Sequence, residues 1–593
     1  MDAPLTRRVA RAAPLLVEAA LLALLVAASV AAVHAHQRLD SPTSDEAIHL
    51  FSGSEALEEG TGWLNPEHPP LMKLAGALAL RPLALRPPCG GTGCPTSPLP
   101  GYPAWLYGNR APAHAVVAAG RRPFPWVLAL LVVVLHVAVR PLAGRVAGLL
   151  AAGVVALDPT FVAHAAYVHT DVGAAVGFLA VTVLAARAAT GTGLGRWLAV
   201  GLALGVALVT KFSALLLVPA VAVSPLLPLL FRTGAAARPR GGVTRDRVVG
   251  AVVALGLAAL VVQGVYAWTL RRMTPERDEA SIRAYLESRP SRPDEVERYG
   301  TLARLLPPLG TFLGGAKGVA LLSERGRGAN YFLGRVSDRG FPLYFPAAFL
   351  LKATPAFLAL LAAALALGLS RLRRGGVPER AASAPALAAL LAATLATGLL
   401  AASMRSAFNI GVRHLLPAWA LLAFAAAVVA GRALGGRPRL RGMAACALVV
   451  STGLSLASAG ASPIAYFNVF AGGEDGGRRS FSDSNVDWGQ DLYRLHLFLA
   501  GRGWEETTTI VAWGGIATNY YSRGCRLLDP AVPVGPGRYA VSHMMETLGP
   551  ELVRPIEGEA AARQVEELVR ALHSRGRRIA LVGGSITVWD LPG

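Results

Sequence analysis

Long uncharged stretches dominate this chain and restrict what it can fold into. Several windows of about 20 residues carry at most one charged side chain, which is the length needed to cross about 30 Å of hydrocarbon. Of 593 residues, 53% are hydrophobic and only 16% are charged, whereas about a quarter of a soluble protein is charged. The sequence therefore predicts a polytopic α-helical membrane protein.

The apolar stretches predict about eleven transmembrane helices, followed by a soluble domain. The predicted spans are 14–34, 124–139, 144–158, 171–189, 197–210, 212–231, 248–270, 342–370, 385–403, 412–431 and 442–460. The first apolar stretch is too long for a typical signal peptide, so we interpret it as an uncleaved helix. The spans define a transmembrane domain of residues 1–460, with large loops at 35–123 and 271–341.

Residues 461–593 show the patterns of a soluble α/β domain. Helical spacing occurs in "DLYRLHLFLAGRG" and "EAAARQVEELVRALHSRG". Strand-like alternation occurs in "TTTIVAWGG" and "RYAVSH", and "RIALVGGSITVWDL" predicts one or two closing strands. Since strand and helix patterns alternate, we expect a sheet covered by helices.

The arginines predict how the chain is oriented in the membrane. They concentrate at the N-terminus and in alternate loops, near Arg7–Arg11, Arg140–Arg145, Arg187–Arg196, 232–247, 371–380 and 432–441. The positive-inside rule places these segments in the cytoplasm. The two large loops and the C-terminal domain then lie outside it, and we expect a cell (plasma or inner) membrane. Because the net charge of +20 follows these loops, we exclude nucleic acid as a partner.

Two cysteines lie in the first large loop, which we predict to be outside the cytoplasm. Cys89 and Cys94 flank the Gly-rich turn "CGGTGC". A disulfide could persist between them in that compartment. No further ligands with zinc-site spacing lie nearby, so a zinc knuckle is not expected.

Acidic, imidazole and lysine side chains recur where predicted outer loops meet the membrane. They are Asp45 and Glu46 in "SDEAIH", Glu67 and His68 in "NPEHPPLMK", Asp171 in "YVHTD" and Lys211 in "TKFS". Taken alone, Asp45 and Glu46 are also typical of the acidic first turn of a helix. Charged groups at a membrane boundary are costly, however, so their presence at one depth in three separate outer junctions indicates a functional site.

Several of these motifs resemble those of a known superfamily. "SDEAIH", "NPEHPPLMKL", "LDPTFVAHAAYVHTD" and "LVTKFSALLLVP" resemble the polyprenyl-phosphate-dependent GT-C glycosyltransferases, nearest to the protein O-mannosyltransferases and aminoarabinose transferases. "NIGVRHLLP" and "SDSNVDWGQDLYRLHLFL" resemble one bacterial branch. The resemblance implies a GT-C-like fold and transfer of a sugar, such as mannose or a similar hexose or pentose, with inversion. The donor would be a polyprenyl-phosphate-linked sugar in the lipid bilayer, and the acceptor an extracytoplasmic protein, lipid or glycan.

The resemblance also implies roles for the acidic residues. Asp45 corresponds to the acid at the reaction centre and would act as base towards the incoming hydroxyl, with Glu46 beside it. Glu67 and His68 match the second loop motif, and would position substrate or help to hold a divalent metal. Metal dependence stays open, and no other cofactor is expected. Asp171 would bind acceptor or donor, with helix capping as the alternative.

Cations are needed for the departing lipid phosphate. We expect Lys211 and Arg413 to supply them first, and Lys352 next. Lys352 lies in the apolar run "FPAAFLLKATP", so snorkelling to the interface is an equal alternative. In "SDSNVDWGQD", Trp488 could stack on a sugar ring, although we favour a structural junction with the outer domain.

Two other classes of function are compatible with parts of the pattern. A lipid-linked sugar transporter or flippase would also carry intramembrane charges, but transporters usually show internal repeats and charges at the midplane. A non-catalytic glycan-binding membrane protein could keep the fold. The charges of this chain gather at outer junctions, and Asp45, Glu46 and Lys211 are all present, which favours an enzyme.

Overall fold

Helices form most of the protein, as the apolar sequence predicts. The computed structural model describes residues 3–62, 65–89, 101–231, 245–326, 328–373, 384–514 and 516–593. Within them, helices α1 to α9 are Ala3–Gln37, Glu46–Ser54, Leu71–Leu80, Gly101–Tyr107, Ala113–Arg121, Phe124–Ala143, Arg145–Ala156, Pro159–His164 and Asp171–Thr190. Helices α10 to α20 are Leu194–Leu208, Leu217–Val223, Arg245–Thr269, Pro275–Glu287, Pro293–Leu305, Pro307–Arg325, Tyr344–Lys352, Pro355–Arg373, Ala384–Ser403, Leu416–Ala433 and Pro438–Ser458.

Seven helical segments of the described chain are long and apolar enough to cross a membrane. They are Ala13–Gln37, Ala113–Ala143, Asp171–Thr190, Arg245–Thr269, Pro385–Ser403, Val412–Ala433 and Pro438–Ser458. An eighth results if α16 and α17 count as one bent span. Three predicted spans correspond instead to the shorter apolar helices Arg145–Ala156, Leu194–Leu208 and Phe212–Leu227. The polytopic helical class is confirmed, while the number of eleven spans stays a prediction.

Small residues allow neighbouring helices of the bundle to approach closely. A Cβ atom added to Gly201 of α10 would lie 2.6 Å from the carbonyl oxygen of Ala254 in α12. One added to Gly205 would lie 2.6 Å from Cβ of Val261. Close backbone approach maximises dispersion contacts, which hold helices together where no water is displaced.

The predicted span 342–370 is interrupted. Helix α16 ends at Lys352 and α17 begins at Pro355, and the two axes differ by 109°. Proline cannot donate the backbone hydrogen bond that would continue α16. The side-chain amide of Asn468 donates to two backbone carbonyls at the break, each at 2.7 Å. The bend is thus stabilised from outside the helix pair.

The C-terminal region is a sheet domain, and its predicted elements are confirmed. Helices α21 to α25 are Gly473–Ser480, Leu492–Ala500, Ile516–Tyr521, His543–Glu557 and Glu559–Arg575. The described strands β1 to β7 are Asn330–Phe332, Arg335–Ser337, Thr508–Val511, Arg526–Leu527, Gly537–Ser542, Arg577–Val582 and Ile586–Leu591. Strands β1 and β2 form a separate hairpin, and β3 to β7 form one sheet in the order β4-β3-β5-β7-β6. Strand β3 runs parallel to β4 and β5, whereas β7 is antiparallel to β5 and β6.

Alternate strand residues pack against helices on both faces of this sheet. Ile510 and Val588 pack with α22 and α23, while Val511 and Val541 pack with α24 and α25. Because side chains alternate along a strand, the two faces bury two separate cores.

The sheet domain also fixes the loop that follows α1. The backbone amide of Ser41 donates to the carbonyl of Gln490 at 2.8 Å, and that of Ser44 to the carbonyl of Trp488 at 3.1 Å. Arg494 pairs with Asp40 at 2.6 Å. The segment just before Asp45 is therefore positioned by residues more than 400 positions away in sequence.

Cys94 lies outside the described residues, so its pairing with Cys89 stays a prediction.

A buried acid outside the membrane spans makes the stability depend on pH. Asp278 of α13 is 1% exposed and accepts a hydrogen bond from Thr311 of α15 at 2.5 Å. Burial raises the pKa of Asp278 from 3.8 to about 7. Protonated Asp278 therefore contributes fully to the free energy of unfolding below pH 3.8. This contribution decreases as the pH rises from 3.8 to about 7.

We expect Asp278→Asn to gain stability relative to the wild type as pH increases. Two pH units correspond to about 3 kcal/mol, so the difference in melting temperature should grow clearly between pH 5 and pH 7. Asp294→Asn, at an exposed acid of α14, is the control and should give a constant difference. A constant difference for Asp278→Asn as well would show that its carboxyl does not titrate in this range.

Candidate active site

Five side chains from separate parts of the chain form one connected polar network. Nη1 of Arg413 donates to Oδ2 of Asp45 at 2.9 Å and lies 3.0 Å from Nε2 of His169. That imidazole nitrogen is 2.7 Å from Oδ2 of Asp171, whose other oxygen pairs with Lys211. We refer to these five residues as the Asp45–Lys211 network. Four of them were predicted as site residues, and the structure brings the four together.

The network lies where several helices end, on the side of the bundle that carries the sheet domain. Asp45 is the N-cap residue of α2, and Asp171 is the first residue of α9. Lys211 follows α10, and Arg413 lies in the single 3-10 turn that leads into α19. The bundle thus presents acids and cations at one depth, as the spacing of the sequence motifs indicated.

The two neighbouring acids Asp45 and Glu46 have different surroundings. The side chain of Asp45 is 30% exposed, whereas that of Glu46 is fully buried. Glu46 accepts hydrogen bonds from Nε and Nη2 of Arg121, at 2.8 and 2.6 Å. The backbone amides of Val168 and Thr43 also donate to it, both at 2.9 Å. These contacts support a structural role for Glu46, and Asp45 is the accessible carboxylate of the pair.

The charge state of the network follows from burial and from Arg413. Burial raises the pKa of Asp45, but the Arg413 guanidinium, together with His49 and His169, outweighs burial and holds the pKa below its usual value. Burial, reinforced by the nearby cations, lowers the pKa of His169 well below its usual value, so the imidazole is neutral. The backbone amide of Asp171 donates to Nδ1 of His169 at 3.1 Å. Nε2 therefore carries the proton and donates to the Asp171 carboxylate, so its 3.0 Å contact with Nη1 of Arg413 is not a hydrogen bond.

An aromatic wall supports the network from the sheet-domain side. The Arg413 guanidinium lies 4.2 Å from the centre of the Trp488 ring. Trp488 also meets His169 and Tyr167 edge-on, with centroids 5.0 and 5.8 Å apart. Since only 3% of Trp488 is exposed, it positions Arg413 and has no free face for a sugar. This agrees with its interpretation as a structural junction.

The predicted residues Glu67 and His68, which precede the Pro69–Pro70 corner, have different partners. His68 packs edge-on against His49, with centroids 4.7 Å apart, and His49 bonds the carbonyl of Val168 at 2.8 Å. Glu67 instead pairs with Arg289, beyond the end of α13. Within the described ranges, no three His, Cys, Asp or Glu side chains converge on a metal position. These residues thus do not fit a protein-held divalent metal, and we derive no step through one.

Two groups close to the site, Lys73 and His169, lie in the sequence motifs but had no predicted role. Nζ of Lys73 donates to the carbonyl of Asn65 at 2.8 Å, and burial lowers its pKa to about 7. His169 stands two residues before Asp171 in "VHTD", which was the only signal for it in the sequence. Both are buried, which the one-dimensional pattern does not reveal.

Lys352 lies outside the network, and the contacts of its amine do not support the phosphate-binding role predicted for it. It is 1% exposed, and its Nζ donates to the carbonyls of Ile464 at 2.7 Å and Tyr466 at 3.1 Å. The same amine lies 4.3 Å from the centre of the Phe467 ring. Because the charge is surrounded by these partners, Lys352 neither snorkels to water nor reaches a lipid phosphate. It fixes the segment that follows α20.

Comparisons with solved structures find distant likenesses. An apo oligosaccharyltransferase of Archaeoglobus fulgidus is 12% identical over 93% of this chain and 72% of that chain, with a TM-score of 0.47. The donor-bound protein O-mannosyltransferase Pmt1-Pmt2 complex of S. cerevisiae is 19% identical over 43% and 34%, with a TM-score of 0.33. ArnT from Cupriavidus metallidurans, bound to undecaprenyl phosphate, is 14% identical over 98% and 99%, with a TM-score of 0.29.

Family and sequence comparisons differ in what they find. A search of curated protein sequences gives no match. The dolichyl-phosphate-mannose-protein mannosyltransferase family model matches residues 118–268, a range that includes His169, Asp171 and Lys211 of the network. This match confirms the resemblance to polyprenyl-phosphate-dependent GT-C glycosyltransferases that the sequence motifs indicated.

Proposed function

We propose that the protein is a membrane glycosyltransferase that moves a sugar from a polyprenyl-phosphate carrier to a hydroxyl of an acceptor. The observation that carries the proposal is the direct contact of the accessible Asp45 carboxylate with Arg413, which lies beside the chain His169–Asp171–Lys211. A proton acceptor thus lies beside two cations suited to a phosphate. The family match supports a polyprenyl-phosphate hexose, such as mannose, as donor.

In the proposed reaction, one bond forms as another breaks at the anomeric carbon. The acceptor oxygen attacks this carbon from the face opposite the phosphate, which inverts its configuration. The bond between carbon and phosphate oxygen breaks, and its electron pair leaves with the lipid phosphate. The hydroxyl proton passes to Asp45. Since the phosphate is already a good leaving group, the site needs cations rather than a strong general acid.

Arg413 would have two partners in turn. In the structure it donates to Asp45, and this contact keeps the carboxylate weakly basic. A lipid phosphate that draws the guanidinium away removes the charge that lowers the pKa of Asp45, so the carboxylate becomes a better proton acceptor. Donor binding and activation of the base would thus be coupled through one side chain.

The proposed location follows the sequence-based orientation. The N-terminus would be cytoplasmic, and the network and sheet domain would face the extracytoplasmic side of the membrane. The acceptor, whether protein, lipid or glycan, would approach from there, because Asp45 and Lys211 are accessible at the end of the bundle that carries the sheet domain.

We expect Lys211→Gln to lower kcat/KM for the donor by about 10- to 100-fold, since a hydrogen bond to a charged group contributes about 1.5–3 kcal/mol. The protein would be reconstituted in vesicles with radiolabelled polyprenyl-phosphate sugars and candidate acceptors. Release of free polyprenyl phosphate is the measurement. The wild type should release it with at least one donor and acceptor.

Lys317→Gln is the matched control for this experiment. Lys317 lies on α15 and pairs with Glu295 at 2.9 Å, so its loss should leave kcat/KM unchanged. Wild-type protein that releases no polyprenyl phosphate with any hexose or pentose donor would contradict the proposed function. A Lys211→Gln rate equal to the wild-type rate would contradict only the role of Lys211.

A further inference from the structure

A separate cavity lies beside the C-terminal end of helix α20. Its volume is about 590 Å³, and none of its lining residues belongs to the Asp45–Lys211 network. One wall is the last two turns of α20, including Ser455 and Ser458, and the other is formed within residues 462–474. We refer to it as the α20 cavity. The carbonyl contacts of Lys352 hold this second wall in place.

The rim of the α20 cavity combines apolar and acidic side chains. Leu454 is 66% exposed and Val469 is 74% exposed, and the rim also includes the exposed carboxylate of Glu474. Only 11% of the α20 span is buried inside the protein, so this helix faces lipid along most of its length. The cavity therefore lies where a lipid-facing helix ends, which is the depth of lipid headgroups.

On the α20 side, the polar groups of the cavity are hydrogen-bond acceptors, whereas the second wall also offers the hydroxyls of Ser462 and Tyr466. Ser455 donates its hydroxyl proton to the carbonyl of Ser451 at 3.1 Å, and Ser458 donates to that of Ser455 at 2.8 Å. These hydroxyls thus keep only lone pairs for a ligand. A carboxylate likewise only accepts hydrogen bonds. A ligand that fits this set must bring N–H or O–H donors.

Glu474 has no ion-pair partner within 4.0 Å in the described part of the chain, although Arg478, Arg578 and Lys352 lie near enough to affect its charge. The nearby Arg478 bonds Glu546 at 3.3 Å, and Arg578 pairs with Asp475 at 3.4 Å. Among the described residues, no Lys, Arg or His nitrogen lies within 4.0 Å of the Glu474 carboxylate. A positive charge on the ligand would complete this pair.

We propose that the α20 cavity binds a membrane lipid whose headgroup ends in a primary ammonium, with Glu474 as its counter-ion. The three N–H donors of an ammonium match the carboxylate and the hydroxyl lone pairs of Ser455 and Ser458. The lipid tails lie along the lipid-facing side of α20, beside Leu454. A trimethylammonium headgroup has the same charge but no N–H donor, so it binds more weakly. This site is independent of the proposed sugar transfer.

The experiment compares lipids retained by the purified full-length protein. Delipidated protein in detergent receives equal amounts of phosphatidylethanolamine, phosphatidylcholine and phosphatidylglycerol, and native mass spectrometry counts the bound molecules. The wild type is expected to prefer phosphatidylethanolamine over phosphatidylcholine about tenfold, because a charge-assisted hydrogen bond contributes this much. Glu474→Gln should lose the preference. Asp475→Asn, the same change at the next residue, should keep it.

Each outcome decides for or against the site. A Glu474→Gln protein with the wild-type preference, or a wild type without one, overturns the proposal. Displacement of phosphatidylethanolamine by an equal concentration of free ethanolamine also overturns it, because the ligand would then be a soluble amine. If Glu474→Gln does not yield folded protein, the double change Ser455→Ala and Ser458→Ala tests the same site. It should lower the preference several-fold.

Discussion

Replacement of Asp45 by asparagine is expected to lower the rate of sugar transfer by about 10²- to 10⁴-fold, the usual contribution of a positioned base. The amide fills the same space as the carboxylate, which is 30% exposed, but it cannot take a proton from the acceptor hydroxyl. Release of polyprenyl phosphate from vesicles containing the variant would measure the loss. Asp294→Asn, which removes an exposed acid of α14, should keep the wild-type rate.

The pH profile provides a second measurement of the same prediction. Arg413 holds the pKa of Asp45 below 3.8 against the opposing effect of burial. Wild-type kcat/KM should therefore show no decline from this group until the pH falls below that value. Without the guanidinium, burial raises the pKa of Asp45, so the acid decline of Arg413→Gln should lie at a higher pH than that of the wild type. Full activity of Asp45→Asn, or an unchanged profile of Arg413→Gln, would contradict the assignment of the base.

The fold could be predicted from the sequence where one physical requirement determines the order of apolar and polar residues. The cost of polar groups in hydrocarbon produces the long apolar stretches, and these correspond to helices in the structure. Strand alternation likewise located β3, β5 and the hairpin of β6 and β7. The sequence did not reveal α24, because Pro550 and Pro555 lie inside it and proline usually ends a helix. It also did not reveal α13 to α15, which occupy the large loop at 271–341.

Part of the candidate site was also predictable. Charges at a membrane boundary are rare enough to be noticed, and this pattern pointed to Asp45, Asp171 and Lys211, while the need for cations at the phosphate pointed to Arg413. Which partner each charge would meet was not predictable, because the partners lie far apart in sequence. Arg413, for example, contacts Asp45 across 368 positions.

The partners of Glu46 and Lys352 could not be predicted from the sequence either. Glu46 is adjacent to Asp45 in sequence, yet its partner Arg121 lies 75 positions away and withdraws it from the site. Lys352 meets backbone carbonyls more than 100 positions away rather than a phosphate. Backbone groups leave no trace in residue types, so no motif could indicate those contacts.

Glu46→Gln is expected to destabilise the fold by about 3–5 kcal/mol, the typical cost of leaving one member of a buried ion pair without its partner. Arg121 is 1% exposed, so its charge would stay buried after the change. The same carboxylate joins α2, α5 and the segment before α9 through the hydrogen bonds of Arg121 and Val168. Equilibrium unfolding of the purified protein in detergent, with increasing amounts of a denaturing detergent, would measure the loss.

Two comparisons separate this structural role from catalysis. The double variant Glu46→Gln with Arg121→Gln buries no charge, so it should be more stable than Glu46→Gln alone. The folded fraction of Glu46→Gln should still transfer sugar, because the contact between Asp45 and Arg413 does not involve Glu46. The contrary result would be a folded Glu46→Gln protein that keeps wild-type stability but loses transfer as completely as Asp45→Asn. Glu46 would then belong to the reacting groups, and its hydrogen bonds with Arg121, Val168 and Thr43 would not define its role.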